Sequence, residues 1–143
     1  MRTMDVRLER QCRNAAALAH AMEQSPNVVK VLHPSLDSHP NRATALKQFQ
    51  QGACGAMLAF YMPEDWEKIN QFMERLTVPH YAMTLGGYRT SLSYPILSSH
   101  GGLTKEEREA LGITEGMMRV SVGMENTDDL VNDFLQALEV FGR

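Results

Sequence analysis

Met83-Thr84-Leu85-Gly86-Gly87-Tyr88-Arg89-Thr90-Ser91-Leu92-Ser93-Tyr94-Pro95 is a polar, glycine-bearing stretch set between apolar segments. Two adjacent glycines allow a bend or close approach that bulkier residues would block. Thr84, Tyr88, Arg89, Thr90, Ser91 and Ser93 crowd hydrogen-bonding groups around that bend. A second stretch, Met117-Met118-Arg119-Val120-Ser121-Val122-Gly123, follows further along the chain. Its alternation makes it a strand, with Met118, Val120 and Val122 on one face and Met117, Arg119, Ser121 and Gly123 on the other. The two stretches are expected to meet and form one wall of a ligand site.

The 143 residues carry a net charge of −3, with 43 % apolar and 22 % charged side chains. That is the composition of one globular domain. It offers no electrostatic footprint for nucleic acid or for an acidic membrane. The apolar runs are too short to span a bilayer, and the charged N-terminus lacks a signal-peptide core, so the expected location is cytoplasmic. Cys12 and Cys54 sit in apolar patterns and are expected to be reduced, buried thiols.

Outward from the two stretches, Leu8, Cys12, Ala15, Ala19 and Met22 recur at helical spacing and predict a helix from about Met4 to Gln24. The β-branched run Val28 to Leu32 predicts a strand. Pro40 opens a helix expected to bury Ala43, Leu46 and Phe49. A strand is expected from Gly55 to Tyr61. A helix opened by Pro63 should carry Trp66, Ile69, Met73 and Leu76 on one face. Short strands are expected at Tyr81 to Met83 and at Leu92 to Tyr94. Thr104 with Glu107 has the spacing of a capping box, for a short helix ending at Gly112. Asn126 is placed to cap a last helix whose buried stripe is Leu130, Phe134, Leu138 and Phe141. The order predicts an α+β fold: a small, mostly antiparallel sheet of about four strands with helices mainly on one face.

Arg119 is the residue with the most evident chemistry. A guanidinium in mid-strand suits a bidentate carboxylate or phosphate, or else snorkels from a solvated outer face. The Gly86-Gly87 loop either touches a ligand or is a tight connection; it lacks the spacing of a phosphate loop. The histidines at 20, 33, 39, 80 and 100 have no zinc-site spacing, so no metal is expected. Lys30, Lys47, Lys68 and Lys105 are the four lysines, and none stands in a setting that suggests a desolvated Schiff-base amine. These residues amount to part of a site rather than a whole one.

Several motifs in order resemble a known family, the pyridoxal-phosphate enzymes of cysteine and methionine metabolism. They are Asp5-Val6-Arg7-Leu8-Glu9-Arg10-Gln11 with Asn14-Ala15, Val31-Leu32-His33-Pro34-Ser35-Leu36-Asp37-Ser38-His39-Pro40, Thr84-Leu85-Gly86-Gly87, Glu106-Glu107-Arg108, Leu111-Gly112-Ile113, and Gly116 through Glu125. The resemblance covers essentially residues 1–143, as the C-terminal domain of these fold-type I enzymes. They include methionine γ-lyases, cystathionine γ-synthases, cystathionine lyases and homoserine-ester sulfhydrylases.

The resemblance implies that Arg119 holds the substrate α-carboxylate, and that Thr84 stands where the family has a serine near cofactor and substrate. It places Met83, Thr84 and Leu85 in the substrate pocket. Met83 stands where enzymes handling cystathionine often carry Glu; an apolar side chain suits a methionine- or homocysteine-like substrate and favours elimination over replacement. The family's large N-terminal domain, with the lysine that bonds pyridoxal phosphate, has no counterpart in this sequence. The isolated chain is therefore expected neither to hold the cofactor tightly nor to catalyse. The implied partners are that large domain, an amino-acid substrate and further copies in a homo-oligomer, a tetramer. Alternatives are a γ-synthase or sulfhydrylase domain, which replaces rather than eliminates, and a stand-alone oligomerisation or binding module without catalysis.

Overall fold

A computed structural model describes residues 2–142. Five strands form one sheet in the order β1-β2-β5-β4-β3. These are β1 (Lys30–Leu32), β2 (Met57–Tyr61), β3 (His80–Tyr81), β4 (Ser91–Ser93) and β5 (Met117–Ser121). The helices are α1 (Met4–Glu23), α2 (Arg42–Gln48), α3 (Trp66–Arg75), α4 (Lys105–Ala110) and α5 (Thr127–Leu138). Neighbouring strands pair antiparallel except β3 with β4, which run parallel. The expected sheet is therefore right in kind and one strand larger than about four. The short strand expected at Tyr81 to Met83 is the two-residue edge strand β3, which begins one residue earlier and ends at Tyr81.

The strand β5 is central because its alternation is strict. Met118, Val120 and Val122 are fully buried, and they face a core built with α1, α3 and α5. Phe60 of β2, Phe72 of α3 and Phe134 of α5 meet there with ring centroids 5.9, 6.2 and 6.3 Å apart. Edge-to-face aromatic contacts of this kind add to simple area burial. The expected α5 stripe of Leu130, Phe134, Leu138 and Phe141 is buried as read. Asn126 caps α5 by accepting from the amides of Asp128 and Asp129, and Thr104 and Glu107 form the reciprocal capping box of α4.

Two expected faces are corrected. On α2 only Ala45 is buried, while Leu46 and Phe49 are 56 % and 42 % exposed. The helix begins at Arg42 rather than at Pro40. On α3 the expected Ile69, Met73 and Leu76 do face the core, joined by Phe72, and only Trp66 departs, at 56 % exposed. The helix starts later than Pro63, with Asp65 as its cap, so Trp66 is its first residue and lies against Tyr94.

Asp133 is a polar feature that periodicity does not show. It is buried on α5 and accepts from the Thr77 amide and hydroxyl and from the Val78 amide. One carboxylate thus satisfies the backbone that leads from α3 into β3.

His33, in the loop after β1, is fully buried. Its Nδ1 lies 2.7 Å from the Ser35 hydroxyl and also accepts from the Ser35 amide, so Nε2 carries the proton and donates to the Gly55 carbonyl at 3.2 Å. Burial pushes this imidazole below its ordinary value, with His20, His39 and Arg42 adding to the effect and the Gly55 hydrogen bond opposing it. The unfolded chain then takes up a proton as pH falls through the ordinary histidine range, and the folded chain does so only at lower pH. Stability is therefore present above that range and lost between it and the lower folded value. Urea unfolding at pH 7.5 and pH 5 should show a lower midpoint in acid, and His33→Gln should make that pH dependence shallower.

Candidate functional site

The site is built on the sheet face opposite the helices. Arg119 sits in β5 directly across from Ala59 of β2 and Ser93 of β4. These are small neighbours, so the long guanidinium has room to lie over them. Its Nε donates to the Ser93 hydroxyl at 3.2 Å. No acceptor or carboxylate among the described residues binds its terminal nitrogens. A half-buried guanidinium steered by one hydroxyl, with its fork left free, is suited to a planar two-oxygen anion.

The loop of residues 83–90 is fastened to the same face. Gly86 adopts φ +70, a backbone that favours glycine, and its amide donates to the Ser121 hydroxyl at 2.9 Å. Ser121 lies two residues from Arg119 and shares its face. The Ser91 hydroxyl donates to the Thr84 carbonyl at 2.8 Å, which curls the loop back on β4. From the helix side, Gln11 donates to the Gly87 carbonyl at 2.7 Å.

Gly123 forms the seam beneath this loop. A Cβ there would lie 2.5 Å from both the Thr90 nitrogen and the Tyr88 oxygen. The Gly123 amide donates to the Thr90 hydroxyl, which in turn donates to Glu125. Asn14 of α1 donates to the carbonyls of Gly123 and Glu125. Arg10 also reaches the Glu125 carbonyl.

The two stretches read from sequence therefore meet, as expected. Thr84, Met83 and Leu85 lie on the loop fastened to the Arg119 face through the Thr84 carbonyl and the Gly86 amide, with Met83 and Leu85 59 % and 60 % exposed. Ser93, Ser121, Gln11, Asn14 and Glu125 were not among the residues singled out as site residues. Serines 91 and 93 alternate opposite Ser121 and Arg119, and that period was the available signal; Gln11 and Asn14 carry no such mark, because they act across the fold.

A separate apolar cleft of about 260 Å³ lies between α3 and the turn at Pro95–Leu97, lined by Trp66, Ile69, Met73, Tyr81, Tyr94 and Leu97. None of the four predicted site residues lines it. Tyr94 there is pushed up to about 12 by burial and by Glu115 and Glu64, against a smaller opposite effect of Arg108. Its hydroxyl donates to the Glu115 carbonyl, so this phenol stays protonated and is no general base. Cys12 and Cys54 are free and buried, as expected. No cluster of potential metal ligands and no helix long and apolar enough to cross a membrane occurs among the described residues.

Residues 1–139 match the family model of Cys/Met metabolism PLP-dependent enzymes. The chain belongs to that family. It is 40 % identical over 139 residues to cystathionine beta-lyase MetC of Bacillus subtilis, covering 97 % of this chain and 35 % of that protein. It is 37 % identical to the L-methionine gamma-lyase of Fusobacterium nucleatum subsp. polymorphum, again over 97 % of this chain and 35 % of the relative. The crystal structure of cystathionine gamma synthase from Xanthomonas oryzae pv. oryzae in complex with cystathionine superposes with a TM-score of 0.89 at 34 % identity, covering 98 % of this chain and 36 % of that one. The chain thus spans about a third of the length of the relatives it matches. The family depends on pyridoxal phosphate.

The residues present fit an amino acid's carboxylate better than they fit that cofactor. Lys47, Lys68 and Lys105 lie on α2, α3 and α4; Lys30 shares the sheet face of Arg119 by register but is exposed on the edge strand β1, two strands away, so no lysine lies beside Arg119.

The seam at Gly123 makes a direct prediction. Gly123→Ala should lower stability by about 1–3 kcal/mol, since the added methyl meets backbone rather than a movable side chain. Denaturant unfolding checks the loss, and accelerated amide exchange at residues 88–90 would place it.

Proposed function

We propose that this chain is the C-terminal, substrate-carboxylate-binding domain of a pyridoxal-phosphate-dependent carbon–sulfur lyase acting on methionine- or homocysteine-like amino acids. The observation that carries the reading is the free fork of Arg119, steered by Ser93 on a face overhung by the Thr84 loop. The family match and relatives that are lyases support it.

In this reading the electron-withdrawing chemistry is the cofactor's, and the cofactor is held by a large N-terminal domain outside this chain. The chain's own residues bind and orient. Arg119 clamps the α-carboxylate and so limits how the amino acid can turn. Thr84 borders both substrate and cofactor. Met83 and Leu85 present apolar surface to the side chain; Met83 has no charge with which to pair a distal ammonium, which favours elimination from a methionine-like substrate.

The test is release of α-ketobutyrate and thiol from methionine by the full-length enzyme that carries this domain. Arg119→Lys keeps the charge and loses the fork, and should raise KM by about 10- to 100-fold, the equivalent of one or two charged hydrogen bonds. An unchanged KM would remove Arg119 from the role. Replacement of an activated homoserine ester by a thiol, without elimination, would move the assignment to the synthases and sulfhydrylases. The 143-residue chain alone should develop no stable aldimine absorbance when titrated with pyridoxal phosphate, and a stable band would overturn the expectation that it cannot hold the cofactor tightly.

A further inference from the structure

Arg7, in the first turns of α1, is a cation for which this domain supplies no partner. Its Nε is buried and has no hydrogen-bond acceptor among the described residues. The ion pairs among those residues are Arg42–Asp37 and Lys105–Glu109, so no carboxylate described here neutralises it. A buried guanidinium N–H left unpaired opposes folding, and such groups are rare in finished structures.

Its placement says where the partner belongs. Arg7, Gln11 and Asn14 share one face of α1. Asn14 holds Gly123 and Gln11 holds Gly87. Arg7 lies one turn further out, and long helical side chains lean toward the helix N-terminus. It therefore sits beyond Gly87, on the outer flank of the Thr84 loop. Exposed apolar side chains occur on the same first turns of α1, at Met4, Val6 and Leu8, and on the loop that Gln11 holds, at Met83, Leu85 and Tyr88. A buried, unpaired guanidinium N–H on a helix end that also exposes apolar side chains is the composition of an interface rather than of a solvated face. The relatives are nearly three times as long as the matched segment, so in them a large further part of the polypeptide is available to cover the corresponding surface.

We propose that Arg7 is an inter-domain positioning residue. It donates to a carboxylate or carbonyl oxygen of the cofactor-bearing portion, and by way of Gln11 it holds the Gly86-Gly87 loop at a fixed height over Arg119. This rests on the two-part enzyme proposed above.

Arg7→Met tests it in two settings. In the 143-residue chain alone the variant should melt at the same temperature as the parent or higher, because no internal partner is lost. A clear fall would mean that Arg7 serves this domain's own fold, and would overturn the proposal. In the full-length enzyme the variant should speed amide exchange at residues 83–88 by about tenfold, the equivalent of one lost interaction, and raise KM for methionine more than it lowers kcat. Arg7→Lys should recover part of both. Unchanged exchange in the full-length variant would also overturn the proposal. If the parent enzyme releases no α-ketobutyrate the lyase assignment falls, while the exchange comparison still reads the latch.

Discussion

The arrangement of this domain depends on one backbone-to-backbone approach, where Gly123 leaves the central strand and the segment Tyr88–Thr90 lies directly upon it. There is no space for a Cβ, and the approach is held by polar groups on every side. The Gly123 amide meets the Thr90 hydroxyl, its carbonyl meets Asn14, and the Met124 amide donates to the Tyr88 carbonyl. Glu125 closes the seam by accepting from both the amide and the hydroxyl of Thr90. Because the seam joins α1, β5 and the loop at one point, the position of the loop over Arg119 is inherited from the rigid part of the fold.

The sheet divides its labour by face. One face is covered by three helices around a cluster of phenylalanines, and its residues contribute burial. The other carries Arg119 among serines and an alanine, where small side chains leave a shallow bed and hydroxyls fix both the guanidinium and the loop. A second close approach, at Gly116 against the Met62 backbone, anchors the other end of β5. The strand that bears the cation is therefore pinned at both ends, which suits a group that must meet a small anion in a set orientation.

The chain spans about a third of the length of the relatives it matches, and it leaves several large apolar side chains exposed. Exposed apolar side chains occur at the start of α1 and on the Thr84 loop, and none of the predicted site residues lines the Trp66 cleft.

The amino-acid sequence by itself determined the strand at Met117–Ser121, the caps at Thr104 and Asn126, the buried stripe of α5 and the glycine bend at 86–87. Each of these is a local pattern whose physical cause lies within a few residues. It also singled out Arg119, because a guanidinium breaks an otherwise apolar strand. Only the tertiary structure decided that Asp133 would satisfy the Thr77–Val78 backbone, that Asn14 and Gln11 would hold Gly123 and Gly87, and that Leu46, Phe49 and Trp66 would stay at the surface. Those outcomes depend on which distant segment arrives at a given face, and periodicity along one segment carries no record of the neighbour it will meet.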